Sequence, residues 1–133
     1  VSDEATFLVL LVDDLEDSRV MYAEYLTRSG YRVVQAADGA RALTLARDRL
    51  PDVVVMDMAL PVLDGWEVVR RLKSDRQTGV IPVVALTGYA AASHVWRARE
   101  AGCDAFLTKP CLPSALLAVV RDLLAPARRA VLV

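Results

Sequence analysis

The sequence predicts an α/β fold, a parallel sheet with helices on both faces, built from five strand–helix repeats. Three observations point there. Short continuous apolar runs occur at Phe7–Val12, Val53–Met56 and Ala105–Thr108, as suits strands buried on both faces. Segments of helical period alternate with these runs, the pattern of βαβ units with right-handed crossovers. The chain has 133 residues, is 55% hydrophobic and 25% charged, and shows no long linker or internal repeat, so it fits a single domain with a real core.

Each element has its own signals. After the first run, Asp17 through Ser29 is expected to be a helix, with Glu16 or Asp17 available as cap and Gly30 as stop. Arg32–Gln35 is a short second strand. Asp38 caps a helix through about Leu50, where Leu43, Ala46 and Leu50 fall at helical spacing and Pro51 follows the end. The third strand leads into Asp57 and a loop through Leu63. Asp64-Gly65 opens a helix with Val68, Val69 and Leu72 inward, and Gln77–Val80 is a polar turn. Pro82–Leu86 is the fourth strand, ending at Thr87-Gly88. A helix over Ala91 to Ala101 stops at Gly102. After the fifth strand, a last helix covers Leu112 to Leu124, with Pro113 in its first turn. Residues 1–125 form the domain; residues 126–133 extend the helix, dangle or begin a linker.

In open parallel sheets, ligands sit at the carboxyl ends of the strands. Asp13, Asp14, Asp57, Thr87 and Lys109 all fall at such ends. Each has a plain structural reading: Asp13 or Asp14 as a helix cap, Asp57 as a turn residue, Thr87 as a partner for a loop backbone group, Lys109 as a surface lysine. Together they suggest a cleft. Clustered carboxylates repel one another unless a cation joins them. Mg²⁺ suits the set, because it uses few carboxylates and retains waters. A carboxylate beside it can act as a nucleophile toward phosphorus, with Lys109 and Thr87 meeting phosphoryl oxygens.

The bulk numbers exclude several classes. A net charge of −1 gives no electrostatic case for nucleic acid. No run reaches the roughly 18 apolar residues of a membrane helix, and acidic Val1-Ser2-Asp3-Glu4 does not read as a secretory signal. Cys103 and Cys111 lack metal-ligand spacing and read as reduced thiols of a cytoplasmic protein. A single histidine argues against a His-based metal site or triad.

Five motifs together resemble the receiver domain of two-component response regulators (the CheY-like family) over nearly the whole chain. They are Val12-Asp13-Asp14; Asp57 within the segment to Asp64-Gly65; Leu86-Thr87-Gly88; Ala101–Phe106; and Leu107-Thr108-Lys109-Pro110. The resemblance implies a flavodoxin-like doubly wound (βα)5 domain with strand order 2-1-3-4-5. It implies that Asp57 accepts a phosphoryl group from the phosphohistidine of a histidine kinase or phosphotransfer protein. Asp14, Asp57 and the backbone carbonyl of Ala59 would bind Mg²⁺, with Asp13 acting through water. Lys109 would pair with the acceptor, Thr87 would move to bond the phosphoryl group, and Phe106 would follow it as the switch aromatic. From the residues alone, Phe106 reads as core. Lys109-Pro110 would be a cis peptide. Output would pass through the Ala91–Ala101 helix, the fifth strand and the last helix to a downstream protein or a fused output domain, with no direct binding of nucleic acid or membrane.

The chain departs from the family in places. Gly88 stands where a small residue such as Ala is usual, Phe106 has no hydroxyl, and Cys111-Leu112 lacks the usual side-chain cap of the last helix. Ala59 and Tyr89 occupy positions that modulate dephosphorylation in the family. On the Ala91–Ala101 helix, His94 reads as solvated, and Trp96 as either a docking residue beside Arg97 and Arg99 or a core residue. Three rivals remain. A haloacid-dehalogenase-type phosphatase needs a second Asp two residues after its nucleophile, where this chain has Ala59. A nucleotide- or flavin-binding relative wants a Gly/Ser/Thr-rich phosphate loop after the first strand, where this chain is acidic. A pseudo-receiver scaffold would keep the fold without phosphorylation.

Overall fold

The computed structural model describes residues 7–60, 63–88, 97 and 99–132, with side chains described through residue 125. The elements run β1 (Leu8–Val12), α1 (Glu16–Arg28), β2 (Arg32–Ala36), α2 (Gly39–Arg49), β3 (Val53–Asp57), α3 (Gly65–Ser74), β4 (Val83–Thr87), β5 (Ala105–Thr108) and α4 (Pro113–Leu132). Residues 97 and 99–101 are helical as well; the rest of the helix expected over Ala91–Ala101, with Tyr89, His94 and Trp96, lies outside the described residues. All strand pairs are parallel, in the order β2-β1-β3-β4-β5, the order the family resemblance implies.

β1, β3 and β4 are buried along their whole length. Their alternate side chains feed two cores, because successive residues of a strand point to opposite faces. Leu10, Val12, Val54, Met56, Val83 and Ala85 pack with α2 and α3. Val9, Leu11, Val53, Val55, Val84 and Leu86 pack with α1 and α4. With both faces covered, the strands read as unbroken apolar runs, and polar groups appear only where the strands end.

The helix starts differ from one another. Asp38 and Asp64 cap α2 and α3, accepting from the backbone N–H of Arg41 and Glu67. Neither Glu16 nor Asp17 caps α1, which corrects the expectation: Leu15 occupies the cap position with no side-chain hydrogen bond. Asp13, further upstream, takes the Leu15 N–H instead, at 3.0 Å. Leu50 ends α2 in the left-handed region at φ 45°, and Pro51 after it disfavours further helix. α4 starts on the Leu112 carbonyl, which accepts from Ala115 and Leu116. It runs on past Pro126 to Leu132, and the residues after that proline, Ala127-Arg128-Arg129-Ala130, favour helix.

At the opposite rim of the sheet, Lys73 closes α3 onto the strand starts. Its ammonium donates to the Ile81 carbonyl at 2.8 Å and to Asp104 Oδ2 at 3.1 Å. The same Asp104 oxygen accepts the Val83 N–H at 2.8 Å. Among the described residues, no helix is long and apolar enough to cross a membrane.

Candidate phosphoacceptor and metal site

Four neighbouring strands deliver the polar groups to one rim. Asp13 follows β1, Asp57 ends β3, Thr87 ends β4 and Lys109 follows β5. Parallel register continues one residue past the strands: Asp13 N–H donates to Ala36 O at 3.1 Å, Met58 N–H to Leu86 O at 2.9 Å, and Lys109 N–H to Thr87 O at 2.6 Å. These bonds fix the backbone where the side chains depart.

Asp13, Asp14 and Asp57 each offer a carboxylate oxygen, and these lie within 4.8 Å of one another. Asp13 and Asp57 are buried, whereas Asp14 is exposed. Lys109 reaches in from the far side. Its ammonium lies 2.9 Å from Asp13 Oδ2 and 3.4 Å from Asp57 Oδ2.

The unequal sharing sets the electrostatics. Burial pushes the Asp13 carboxyl up, but hydrogen bonds from Lys109, the Leu15 N–H and Ser18, with the lysine's charge, hold it below the usual range. Burial pushes Asp57 up as well. The Ala59 N–H, at 3.0 Å from Oδ1, and the Lys109 charge oppose this, the Asp13 charge adds to it, and Asp57 stays above the usual range. Burial disfavours the Lys109 ammonium, but the hydrogen bond to Asp13 and the charges of Asp57 and Asp13 outweigh it and raise its pKa.

The loop after Asp57 is held from two sides. The Ala59 N–H bonds back to the Asp57 carboxylate, and the Gly65 N–H to the Met58 carbonyl at 3.3 Å. Gly65 packs so closely that a Cβ there would lie 2.6 Å from Met58 Cα and 2.7 Å from the Asp57 carbonyl oxygen. The start of α3 therefore rests directly on the backbone of the central carboxylate. Thr87 is buried. Phe106 is half-buried against the α2/α3 core. The Lys109–Pro110 peptide is cis.

The sequence alone missed Ser18, Arg19 and the packing role of Gly65. Ser18 Oγ donates to Asp13 Oδ2 at 2.7 Å, and Arg19 Nη1 to the Asp13 carbonyl at 3.0 Å. Their only signal was a position one turn into the helix that follows Asp13-Asp14. Gly65 was legible as a helix opener but not as a close approach.

The donor set fits a hard divalent cation. It consists of carboxylate oxygens without sulfur or imidazole, two buried and one open to water. One ammonium offsets three carboxylates only in part, and burial, with the Asp13 charge added, keeps the Asp57 pKa raised.

Comparison with known proteins agrees. Residues 9–121 match the response regulator receiver domain. The polar-differentiation response regulator DivK of Brucella ovis is 37% identical over 102 residues, 77% of this chain and 83% of that protein. The chemotaxis protein CheY4 of Vibrio cholerae superposes with a TM-score of 0.85 at 31% identity, covering 89% of this chain and 98% of that one. The receiver domain of a sensor histidine kinase from Pseudomonas aeruginosa PAO1, solved with a magnesium ion coordinated in its active-site cleft, superposes with a TM-score of 0.84. It is 29% identical and covers 90% of this chain and 98% of its own. This chain belongs to the response regulator receiver domain family of two-component signalling.

Proposed function

We propose that the domain is a Mg²⁺-dependent phosphoacceptor switch, with Asp57 as the acceptor. The observation that carries this reading is the convergence of three carboxylates within 4.8 Å, faced by one ammonium that is shared unequally between Asp13 and Asp57. Asp14, Asp57 and the Ala59 carbonyl would hold the cation, with Asp13 acting through water. A bound Mg²⁺ would neutralise charge on the carboxylates and on a phosphoryl group.

A carboxylate oxygen of Asp57 forms the new bond to phosphorus as the bond from phosphorus to the donor's nitrogen breaks. The donor's imidazole leaves with that electron pair. The Ala59 N–H keeps one Asp57 oxygen oriented. Lys109, already 3.4 Å from the other oxygen, meets the charge that arrives with the phosphoryl group. Thr87 donates its hydroxyl to a phosphoryl oxygen, and Phe106, only half-buried, has room to follow. The donor is a histidine kinase or phosphotransfer protein. The output passes through β5, α4 and the helical residues 97 and 99–101 to a downstream protein or fused domain. This is signalling by a modified carboxylate rather than turnover of a substrate. The reading places the domain in the cytoplasm with reduced thiols. Cys103 and Cys111 pack on opposite faces of the sheet, which supports their remaining unpaired.

The test is phosphorylation by a small acyl phosphate, followed by intact mass, on wild type and Asp57→Asn. One added phosphoryl group that requires Mg²⁺ and is lost in the variant is the expected result. Wild type that binds Mg²⁺ yet forms no adduct, with fast hydrolysis excluded, would make the domain a scaffold and remove the roles of Thr87 and Phe106.

A further inference from the structure

We infer that Ser18 is a positioning residue of the acidic cleft, its hydroxyl fixing the orientation of the Asp13 carboxylate and so setting Mg²⁺ affinity. The inference rests on the phosphoacceptor reading of the cleft. Asp13 is wholly buried, and both its oxygens are engaged by this chain's own donors. Oδ1 takes the Leu15 N–H at 3.0 Å; Oδ2 takes Ser18 Oγ at 2.7 Å and Lys109 Nζ at 2.9 Å. The Ser18 contact is a short hydroxyl-to-carboxylate bond, the charge-assisted kind.

The hydroxyl is itself held in place. Arg19, the next residue, donates from Nη1 to the Asp13 carbonyl at 3.0 Å and from Nε to Gln35 Oε1 at 3.1 Å. The first turn of α1 is thus pinned to the end of β1 and to β2, with Ser18 facing the carboxylate. Remove the hydroxyl and Oδ2 keeps Lys109 alone, so the carboxylate gains freedom to turn about its Cβ–Cγ bond. Groups that orient a cation site from behind commonly change metal affinity by 10-fold or more, on the order of 10–100-fold.

Calorimetric titration with MgCl₂ of the whole chain and its variants tests this. Ser18→Ala is expected to weaken Mg²⁺ binding about tenfold. Ser18→Thr keeps the hydroxyl and is expected to stay within about twofold of wild type. Thr27→Val, which removes a hydroxyl bonded to the Ala23 carbonyl near the other end of α1, is expected to leave the affinity unchanged. A general loosening of α1 would move both Ser18→Ala and Thr27→Val. Wild-type affinity in Ser18→Ala would overturn the inference and leave Ser18 a structural contact, and equal weakening in Ser18→Thr would do the same. Should Ser18→Ala not fold, Ser18→Cys carries the test: weaker binding supports the inference and unchanged binding overturns it. Wild type that binds no Mg²⁺ would overturn the phosphoacceptor reading along with this one, whereas normal wild-type binding with an unaltered Ser18→Ala would sink this one alone.

Discussion

Lys109 and Asp13 form the tight ion pair of the cleft, 2.9 Å between Nζ and Oδ2, and the ammonium stands farther from the central carboxylate of Asp57. Asp13 thus has a stronger claim than Asp57 on the Lys109 ammonium. Its stability contribution is bound to that partner.

Lys109→Met, measured without divalent cations, is expected to lower stability by about 3 kcal/mol, since it leaves a buried carboxylate without its counter-charge. The loss depends on pH. Asp13 has a lowered folded-state pKa, so its contribution is present above the unfolded value and disappears as pH falls through the folded one. Lys109 has a raised value, so its contribution is present below the unfolded value, near 10.4, and disappears as pH rises through the folded one. Urea midpoints should therefore differ most between about pH 5 and 9. A gap that stays constant down to strong acid would refute the electrostatic account.

Asp57→Asn should have the opposite effect. Burial and the Asp13 charge raise the Asp57 pKa, so folding favours the neutral carboxyl. That contribution is present below the unfolded value, near 3.9, and is lost as pH rises through the folded one. At pH 7 the Asn variant is expected to be more stable by about 1 kcal/mol, or about 4 °C in Tm. The advantage should vanish in acid. Added Mg²⁺ should stabilise wild type more than the variant, reversing part of the difference. A variant less stable than wild type at pH 7 in chelator would contradict the argument.

Two glycines near the cleft should respond differently to a methyl group. Gly65→Ala drives a Cβ into the backbone of Met58 and Asp57, and is expected to cost about 1–3 kcal/mol and to weaken Mg²⁺ binding. Gly88→Ala meets nothing within 4 Å and should change stability by less than about 0.5 kcal/mol. Parallel thermal melts and MgCl₂ titrations would separate the two.

Cys103 should be a slow nucleophile. Burial and the nearby Asp104 charge push its thiol up to about 12. At pH 8 its alkylation by iodoacetamide, followed by peptide mass, is expected to be on the order of 100-fold slower in the folded protein than in urea. Comparable rates in the two states would show the thiol to be open.

The strands and the acidic rim were legible because burial on both faces leaves unbroken apolar runs, and a parallel sheet gathers the strand ends. Val53–Met56 followed by Asp57 states both facts in five residues. The caps at Asp38 and Asp64 were legible because their side chains bond within three residues. The α1 start was not, because its donor is met by Asp13 from upstream. Ser18 and Arg19 stayed hidden because their contacts depend on how α1 is rotated over the sheet. The link from Lys73 to Asp104 joins residues 31 apart, and only the completed topology brings them together.

β2 lies at one margin of the sheet, with a single strand beside it. Such a margin invites pairing with a strand from another molecule. This one is five residues long and exposes Arg32 and Gln35, and the Arg19 side chain fastens Gln35 to α1. The short length and the charged and polar side chains of this strand therefore guard the sheet against lateral pairing with another molecule.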